Sequence, residues 1–353
     1  MKKRSFLCLL AFPLFLSCAQ QEGNANVATT EDKPAKANVV SAPADDKVGS
    51  AAWVFDAPDG VSLCEVETDS LDIRNPFVMY EPHSNMYYMT GDGGCMWTSS
   101  DAQKWKGPYK IIDMGEDAWM GNSYTVTSPE LYRRNEKYCL VASFGYADTT
   151  GAEKHECAVL VADDITGPYR LPDKPLPLTP ASDNAKWPTY ANDGFGNTCV
   201  IYACNADNAD GAAMKVVMLA EGQNTSLGEP YEIMDISMLP WRSNVIESPE
   251  FFTTAEGEYG ILFTSDINGK SVVGIAYSAK ELGHPINGPW VVEKKAFLEG
   301  RVGGASLFTD YDGTDVLVMH KEVTENGNRR YVPCFLKMDT QFEKLENKGN
   351  YNF

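Results

Sequence analysis

Short apolar runs separated by turn-forming residues dominate the chain from Trp53 onward. Examples are "NMYYMTG", "EKYCLVASF", "NTCVIYAC" and "GEYGILFTSD", which are rich in Tyr, Val, Ile and Phe. Runs of this length and composition predict β-strands, and no segment after Trp53 shows the sustained 3.6-residue period and terminal caps of a long helix. The pattern therefore predicts an all-β domain.

A four-residue motif recurs along this domain at a nearly constant spacing. The copies are "KGPY", "TGPY", "GEPY" and "NGPW", and their prolines, Pro108, Pro168, Pro230 and Pro289, are 60, 62 and 59 residues apart. A weaker fifth copy is "YVPCFLKMDTQFEKL". A fixed spacing of this kind indicates a repeat architecture in which each copy closes one structural unit.

A second motif opens each unit. Its copies are "RNPFVMY", "TSPELYRR", "KWPTYAND", "ESPEFFTT" and "VGGASLFTDYDG", and each unit of about 60 residues holds three or four strands. Five such units predict a five-bladed β-propeller. The alternative, a two-domain β-sandwich, does not account for four evenly spaced turns. In a propeller we expect the opening motifs to form the innermost strands, whose first residues converge on one face of the disc.

The N-terminal segment has the features of an export signal. Residues 1–17 combine a basic start with an apolar core too short to span a bilayer as a stable helix. The segment leads into "LFLSC", which resembles the lipobox of bacterial lipoproteins and predicts lipidation of Cys18; the alternative is an ordinary secretory signal with an incidental cysteine. Residues 18–51 have the composition of a flexible tether. We therefore expect an exported, membrane-anchored protein, facing the periplasm or the cell surface, whose folded domain covers residues 52–353.

The charge of the chain narrows the class of ligand. Its 353 residues carry a formal net charge of −19 at pH 7. The chain therefore lacks the basic field that attracts nucleic acid or anionic lipid headgroups, and neutral ligands are the simpler expectation.

Seven cysteines remain in the domain, an odd number with no Cys-x-x-Cys pair, which argues against a disulfide framework or a zinc site.

The order of several motifs resembles glycoside hydrolase family 43 and its five-bladed relatives. The resemblance covers most of residues 68–345. It rests on "IRNPFV" and "SSDAQKW" in the first unit, "SPELYRRNEKYCLVASF" and "ADDITGPY" in the second, "ESPEFFTTAEGEYGILFTSD" in the fourth and "GGASLFTDYDGTDVLVMH" in the fifth. It implies a propeller that acts on arabinan, xylan and their side chains, with an oligosaccharide or polysaccharide as the partner.

The resemblance also implies a catalytic set, of which this chain keeps one member. Family members are inverting hydrolases in which one carboxyl protonates the leaving oxygen and another, about 6.5–9.5 Å away, activates water. Glu247 stands at the position of the acid and Asn75 at that of the base. Trp187 stands at the position of a third carboxylate, and Gly304 at that of a histidine near a central metal or water. An amide such as Asn75 can position water but cannot take its proton.

Three acidic residues are candidates for the missing base: Asp72, Asp92 and Glu130. Glu130 is distinctive because its motif recurs around Glu250, and both glutamates follow a proline at an expected inner strand. The alternative for this pair is structural, with each glutamate tying the start of a strand to a neighbouring backbone group or arginine. The predicted catalytic positions are Glu247, Glu130 and Asn75.

Seven residues near the opening motifs are candidates for substrate binding. Charged groups can hydrogen-bond sugar hydroxyls and indoles can stack on sugar rings, although an ion pair between Arg74 and Asp72, buried tryptophans and a core histidine are plainer alternatives. The candidates are Asp72, Arg74, Trp187, Trp241, Arg242, Arg301 and His320.

No metal ligand is assigned. "DYDGTD" at residues 310–315 lacks the later glutamate of an EF-hand loop and predicts a turn, and a central structural calcium stays open because the family histidine is absent.

These observations support hypotheses from two functional classes. The first is a lipid-anchored glycoside hydrolase for arabinose- or xylose-type glycans, with Glu247 as the acid and a non-standard base; a variant of it is a related propeller hydrolase with other carboxylates. The second is a catalytically inactive propeller that binds carbohydrate at the cell envelope. They differ in whether a second carboxylate faces Glu247 across the site.

Overall fold

The computed structural model describes residues 56–116, 118–172, 177–192, 198–204, 212–220, 224–278 and 285–353. The predicted signal sequence, the lipidated Cys18 and the tether lie outside these residues and stay predictions. In the described part of the chain, no helix has the length and hydropathy needed to cross a bilayer.

The described residues form five antiparallel sheets, which we call blades 1 to 5. Blade 1 contains β1 (Cys64–Glu67), β2 (Phe77–Glu81), β3 (Met86–Thr90), β4 (Cys95–Ser99) and β5 (Lys104–Lys110). Blade 2 contains β6 (Thr125–Arg134), β7 (Lys137–Ala147) and β8 (Glu153–Ala162). Blade 3 contains β9 (Lys186–Asn192), β10 (Thr198–Cys204), β11 (Ala213–Leu219) and β12 (Ser226–Asp235). Blade 4 contains β13 (Glu247–Thr253), β14 (Tyr259–Ile267), β15 (Lys270–Ser278) and β16 (Trp290–Val292). Blade 5 contains β17 (Val302–Thr309), β18 (Asp315–Glu325), β19 (Asn328–Asp339) and β20 (Glu346–Asn350).

Five strands form a closed inner ring. β2 contacts β6, and the contacts continue through β9, β13 and β17 back to β2. The other strands follow outward in chain order, except that β1 joins the outer edge of blade 1 beside β5. The molecule is therefore a five-bladed β-propeller, and both the predicted fold and the predicted inner strands are confirmed.

The recurring Gly-Pro-aromatic motifs lie where the chain completes blades 1 to 4, on the outer side of each blade. Pro108 is in β5 and Pro230 is in β12, while Pro289 directly precedes β16. Pro168 comes shortly before Arg170, which completes the edge of blade 2 through two backbone hydrogen bonds with Val161, at 2.8 and 2.9 Å. The repeat in the sequence thus marks the end of each blade.

Apolar side chains fill the spaces between neighbouring blades. Each of five buried clusters is formed by the facing sides of two adjacent sheets. Because both faces of a middle strand are covered in this way, such a strand reads as a continuous apolar run rather than an alternating one. Residues 139–145 in β7, which are all buried, show this pattern.

Each inner strand opens with one residue in the left-handed backbone conformation. These residues are Asn75, Ser128, Trp187, Ser248 and Gly304, with φ of 52°, 47°, 52°, 46° and 55°. In blades 2 to 5 the pairing of the inner strand with its neighbour shifts register at this point, as in a β-bulge. A bulge changes the direction of nearby side chains, so the residues before the inner strands can project onto one face of the disc.

The ring closes where blade 5 meets blade 1, and no sheet of the described residues combines strands from both blades. Ile73 N–H donates to the Tyr331 carbonyl at 2.8 Å, and Tyr331 N–H donates to Asp72 Oδ1 at 2.8 Å. Arg330 Nη1 donates to the Asp69 carbonyl at 2.8 Å. Separate hydrogen bonds and packed side chains, rather than a continuous ladder, hold this junction.

Candidate functional site

A cavity of about 390 Å³ opens where blades 4, 5 and 1 meet. Its wall comes from residues just before β2, β13 and β17 and from the adjoining ends of β14, β15, β18 and β19. Six charged side chains line it: Arg74, Glu247, Asp266, Arg301, Glu322 and Arg329. A cavity of this size with convergent polar groups is typical of a small-molecule site.

Glu247 begins β13 and pairs with Arg74 inside the cavity. Arg74 Nη2 lies 3.5 Å from Glu247 Oε2. The guanidinium carbon of Arg74 also lies 6.0 Å from the Trp187 ring centroid and 5.7 Å from that of Tyr331. Two aromatic rings and a carboxylate therefore hold the guanidinium in place. The side chain of Arg74 is still 39% exposed, which leaves hydrogen-bond donors for a ligand.

Glu322 in β18 is held by two arginines. Glu322 Oε1 lies 3.2 Å from Arg301 Nη1 and 3.3 Å from Arg329 Nε. Arg301 is among the residues predicted from the sequence, whereas Glu322 and Arg329 are not. A signal for Glu322 exists, because it follows His320 by two residues on the same strand and therefore shares its face.

Asp266 is a carboxylate of the cavity that has no hydrogen-bond or ion-pair partner in the described residues. It follows Thr264 by two residues in β14, and Thr264 is the cross-strand partner of Glu247. Diagonal neighbours of this kind lie about 7–8 Å apart on the same face of an antiparallel ladder. Glu247 and Asp266 are thus adjacent carboxylates on one wall of the cavity.

Asn75 lies buried at the back of the cavity, where its backbone N–H and both polar atoms of its side chain form hydrogen bonds. Its backbone N–H donates to His320 Nδ1 at 3.1 Å, and its Oδ1 accepts from Ser248 Oγ at 3.2 Å. Its Nδ2 donates to Asp92, at 3.1 Å from Oδ1 and 3.2 Å from Oδ2. The contact with Asp92 requires an amide at position 75, because an ionised carboxylate there has no proton to donate.

Burial shifts the pKa of two groups beside Asn75. Burial raises the pKa of Asp92, while hydrogen bonds from Ser128 N–H and Asn75 oppose the rise. Burial, followed by the charge of Arg74, lowers the pKa of His320 to about 3. His320 is therefore neutral, and since its Nδ1 accepts a hydrogen bond, its proton is on Nε2. The cavity wall thus includes a neutral imidazole donor.

Glu130 lies in the narrow central channel and not in the cavity wall. Its Oε2 accepts from Tyr190 N–H at 3.3 Å. The related Glu250 accepts from Leu307 N–H at 2.9 Å and from Thr189 Oγ1 at 3.4 Å. Burial, followed by the charge of Glu250, raises the pKa of Glu130, and burial raises the pKa of Glu250 to about 8. Both glutamates tie inner strands to neighbouring backbone groups, as the structural alternative proposed.

Four of the predicted binding residues lie outside the cavity lining: Asp72, Trp187, Trp241 and Arg242. Asp72 accepts from Tyr331 N–H at 2.8 Å and so belongs to the ring closure, while Arg74 pairs with Glu247 instead of Asp72. Trp241 stacks on Phe263 with ring centroids 6.4 Å apart. Arg242 is exposed and does not line the cavity.

Trp187 supports the cavity from behind. It is 5% exposed, and its Nε1 has no hydrogen-bond partner in the described residues. Its ring faces both the Arg74 guanidinium and, at 5.8 Å, the Lys186 ammonium. The contribution of Trp187 is therefore to position Arg74, and it does not line the cavity itself.

The family of the chain follows from its sequence profile. The profile of the glycosyl hydrolases family 43 matches residues 70–334. The chain belongs to glycoside hydrolase family 43. A search of curated protein sequences found no match.

Solved structures share the fold of this family 43 chain. An endo-arabinase from Bacteroides thetaiotaomicron VPI-5482 is 22% identical, with a TM-score of 0.66 over 81% of this chain and 99% of that chain. An endo-1,4-beta-xylanase from the same organism is 18% identical, with a TM-score of 0.63 over 79% of this chain and 95% of that chain. An exo-1,5-alpha-L-arabinanase from a bovine ruminal metagenomic library is 15% identical, with a TM-score of 0.59 over 80% and 98%. At these identities the likeness concerns the fold.

A central metal does not fit the residues of this family 43 member. The channel beside Asn75, Ser128, Ser248 and Gly304 encloses only about 10 Å³. A Cβ added at Gly304 would lie 2.3 Å from Asn75 Oδ1, so this position has no room for the histidine of the family pattern. In the described part of the chain, no group of three or more His, Cys, Asp or Glu side chains is placed to hold an ion.

Proposed function

We propose that the protein binds an arabinose- or xylose-type glycan in the cavity between blades 4, 5 and 1 without hydrolysing it by the inverting mechanism of family 43. The observation that carries this proposal is the hydrogen bonding of Asn75. At the position of the family base the chain has an amide that donates to Asp92 and accepts from Ser248. This network suits a permanent amide and leaves no lone pair basic enough to activate water.

The groups that line the cavity are suited to sugar hydroxyls. Each hydroxyl donates one hydrogen bond and accepts others, so a glycan site needs donors and acceptors close together. Arg74 and Arg301 provide donors on rigid guanidinium forks, and His320 adds a neutral donor. Asp266 provides an acceptor that no described residue occupies. The mixture favours a neutral polyol over a ligand of one charge sign.

The same groups are poorly suited to the family reaction. An inverting hydrolase needs a protonated acid and a carboxylate base on opposite sides of the scissile bond. Glu247, at the position of the acid, has its Oε2 3.5 Å from Arg74 Nη2. Asp72, Asp92 and Glu130, the candidates for the base, are all outside the cavity lining. Binding is therefore the function that this cavity supports best.

Replacing Arg74 by alanine tests the proposal. We expect isothermal titration of the full chain with arabino- and xylo-oligosaccharides to show at least a tenfold loss of affinity in Arg74→Ala, because the central donor of the cavity is removed. Arg74→Lys keeps the charge but not the planar guanidinium, and its affinity should lie between those of the wild type and Arg74→Ala. The matched control is Arg242→Ala, which removes an exposed arginine outside the cavity and should bind normally. Equal affinities of the Arg74 and Arg242 variants would refute the assignment of the cavity.

A second candidate function is hydrolysis with a different pair of carboxylates. The observation that favours it is the position of Asp266, which carries no partner in the described residues and lies diagonally across the β13–β14 ladder from Glu247. The backbone positions of such diagonal neighbours are about 7–8 Å apart, so a glycan lying over this wall of the cavity meets both carboxylates. In this reaction a substrate hydroxyl would replace Glu247 on Arg74, and protonated Glu247 would give its proton to the leaving oxygen as the glycosidic bond breaks. Asp266 would take a proton from the water that attacks the anomeric carbon.

Asp266→Asn separates the two functions. If the chain is a hydrolase of this second kind, prolonged incubation with arabinan or xylan releases reducing sugar, and Asp266→Asn lowers the rate by about 10²–10⁴-fold, as expected for loss of a general base. Glu247→Gln should show a comparable loss, and the exposed Glu299→Gln should show none. Absence of released sugar from the wild-type protein, with binding intact, rejects hydrolysis and leaves the binding function.

A further inference from the structure

A second cavity, of about 250 Å³, lies at the other ends of the strands that lead into the first. Arg74 and Arg301 precede the starts of β2 and β17, whereas Tyr80 is near the end of β2 and Tyr311 follows the end of β17. The eight residues of β17 span roughly 25 Å at about 3.3 Å per residue. The two cavities are therefore on opposite faces of the disc, and no residue lines both.

The wall of this second cavity is aromatic. Tyr80, Tyr87, Tyr311 and Phe353 line it. The ring centroids of Tyr80 and Tyr311 are 6.5 Å apart with an interplanar angle of 62°, and those of Tyr80 and Tyr87 are 5.1 Å apart. Tyr311 is 67% exposed, so most of its ring faces solvent. Tyr87 is buried and Tyr80 and Phe353 are half-buried, so the cavity presents one exposed ring, that of Tyr311, beside two partly exposed ones, and an apolar concave surface of this kind can bind a ligand.

The aromatic wall is held in place by Asp310. This buried carboxylate accepts hydrogen bonds from the hydroxyls of Tyr87 and Tyr351. It also accepts from Tyr311 N–H at 2.7 Å, and its carbonyl accepts from Gly313 N–H at 3.0 Å. The "DYDGTD" segment is therefore a turn, as predicted from its sequence. Its first aspartate fixes the wall, and its tyrosine is presented to solvent.

Polar groups with unused hydrogen-bonding capacity surround the aromatic rings. Asn85 Oδ1 accepts from the Tyr80 hydroxyl at 2.7 Å, which leaves the amide protons of Asn85 without a partner in the described residues. Gln103 Nε2 donates to the Phe353 carbonyl at 3.4 Å, which likewise leaves Gln103 Oε1 without one. The carboxylate of Asp101 adds a further acceptor to the lining.

We propose that this cavity is a second glycan-binding site, independent of the first. A sugar ring has an apolar face of C–H groups and an edge of hydroxyls. The rings of Tyr311 and Tyr80 can cover the face, while Asn85 and Gln103 offer one donor and one acceptor side to the edge. Two sites allow the protein to hold two polysaccharide chains, or one chain that reaches both sites, and in the second case the combined affinity exceeds that of either site.

The test uses the full chain and native gels that contain debranched arabinan or arabinoxylan. The Arg74→Ala protein serves as the background, because its first cavity is disabled. We expect residual retardation of this protein by at least one of the two polysaccharides, and we expect Tyr311→Ala in the same background to reduce the apparent affinity at least fivefold. Tyr311→Phe should retain binding, since it keeps the ring. Phe342→Ala, which removes a 55% exposed aromatic residue outside this cavity, is the matched control.

The outcomes separate the two sites. If the first site does not bind glycan, the Arg74→Ala protein should bind the polysaccharide as well as the wild type does. Adding Tyr311→Ala should still weaken that binding. The second site is rejected if the Arg74→Ala protein shows no residual binding, if Tyr311→Ala leaves that binding unchanged, or if Phe342→Ala reduces it equally. It is also rejected if Tyr311→Ala abolishes self-association in sedimentation measurements but leaves retardation intact, because the surface is then a contact between protein copies. Circular dichroism of the exposed Tyr311→Ala variant should match that of its parent.

Discussion

Replacing Asn75 by aspartate will lower the free energy of unfolding at pH 7.5 by about 3 kcal/mol and will not produce a hydrolase. The substitution places a carboxylate where Asn75 Nδ2 now lies 3.1 and 3.2 Å from the two oxygens of Asp92. Two carboxylates at this distance, one of them buried and the other half-buried, cannot both ionise without strong repulsion. Urea denaturation at several pH values measures the loss, and incubation with arabinan and xylan measures the activity.

The free energy of unfolding of the Asn75→Asp variant should change with pH in one direction. Repulsion raises the pKa of the carboxyl pair in the folded state above its unfolded value, so the folded state binds more protons. The variant should therefore recover stability as the pH falls and lose it as the pH rises. The double variant Asn75→Asp with Asp92→Asn exchanges amide and carboxylate and should regain most of the wild-type stability at pH 7.5. A wild-type stability of the single variant at pH 7.5 would contradict the network described for Asn75.

Replacing Glu250 by glutamine will flatten the dependence of stability on pH. Burial raises the pKa of Glu250 to about 8, and the pKa of Glu130 is raised in the same channel. Because the folded pKa of Glu250 is higher than the unfolded value of about 4.3, folding takes up a proton between these pH values. The contribution to stability is complete below about pH 4 and is lost as the pH rises to about 8, at up to about 1.4 kcal/mol per pH unit.

The comparison of wild type and Glu250→Gln at two pH values measures this effect. Glutamine keeps an oxygen that can accept from Leu307 N–H and carries no ionisable proton. The variant should match the wild type near pH 4.5 and exceed its free energy of unfolding near pH 8. Exposed Glu299→Gln serves as the control and should follow the wild type at both pH values. Parallel pH profiles for Glu250→Gln and the wild type would show that the channel glutamates do not hold a proton.

The sequence predicts the fold because its repeat is carried by residues with fixed backbone roles. The prolines of the opening motifs follow residues that all adopt the left-handed conformation, and those of the closing motifs lie where the chain completes a blade. For the same reason the spacing of the motifs is enough to assign Asn75, Trp187, Ser248 and Gly304 to equivalent positions in their blades.

Less of the site could be predicted, because its side chains come from several strands of different blades. Asp266 and Glu322 are in second strands, away from the opening motifs that drew attention to Arg74 and Glu247. Asp72 and Arg74 are only two residues apart, yet one closes the ring and the other lines the cavity. Sequence spacing predicts which side of a strand a residue faces, but it does not predict which side chain of a neighbouring blade the residue contacts.

The departures from the family pattern fit one another. A Cβ at Gly304 would lie 2.3 Å from Asn75 Oδ1, so the small residue at position 304 makes room for the amide at position 75. Trp187, which the resemblance assigns to the position of the third carboxylate, places its ring against Arg74, which in turn pairs with Glu247. The three predicted departures therefore lie in one group of residues around Asn75 and Arg74.

The two cavities both lie at the junction between blade 5 and blade 1, so a ligand in either one affects the same contact between blades. Blade 1 comes first and blade 5 last in chain order, so the described chain does not pass directly from one to the other, and noncovalent contacts such as the hydrogen bonds of Ile73 and Asp72 with Tyr331 hold the ring closed there. Each cavity takes lining residues from both of these blades. If a glycan binds in either cavity as proposed, it contacts both blades and stabilises the closed ring according to its concentration relative to Kd. We therefore expect the propeller to resist proteases better with sugar bound than without it.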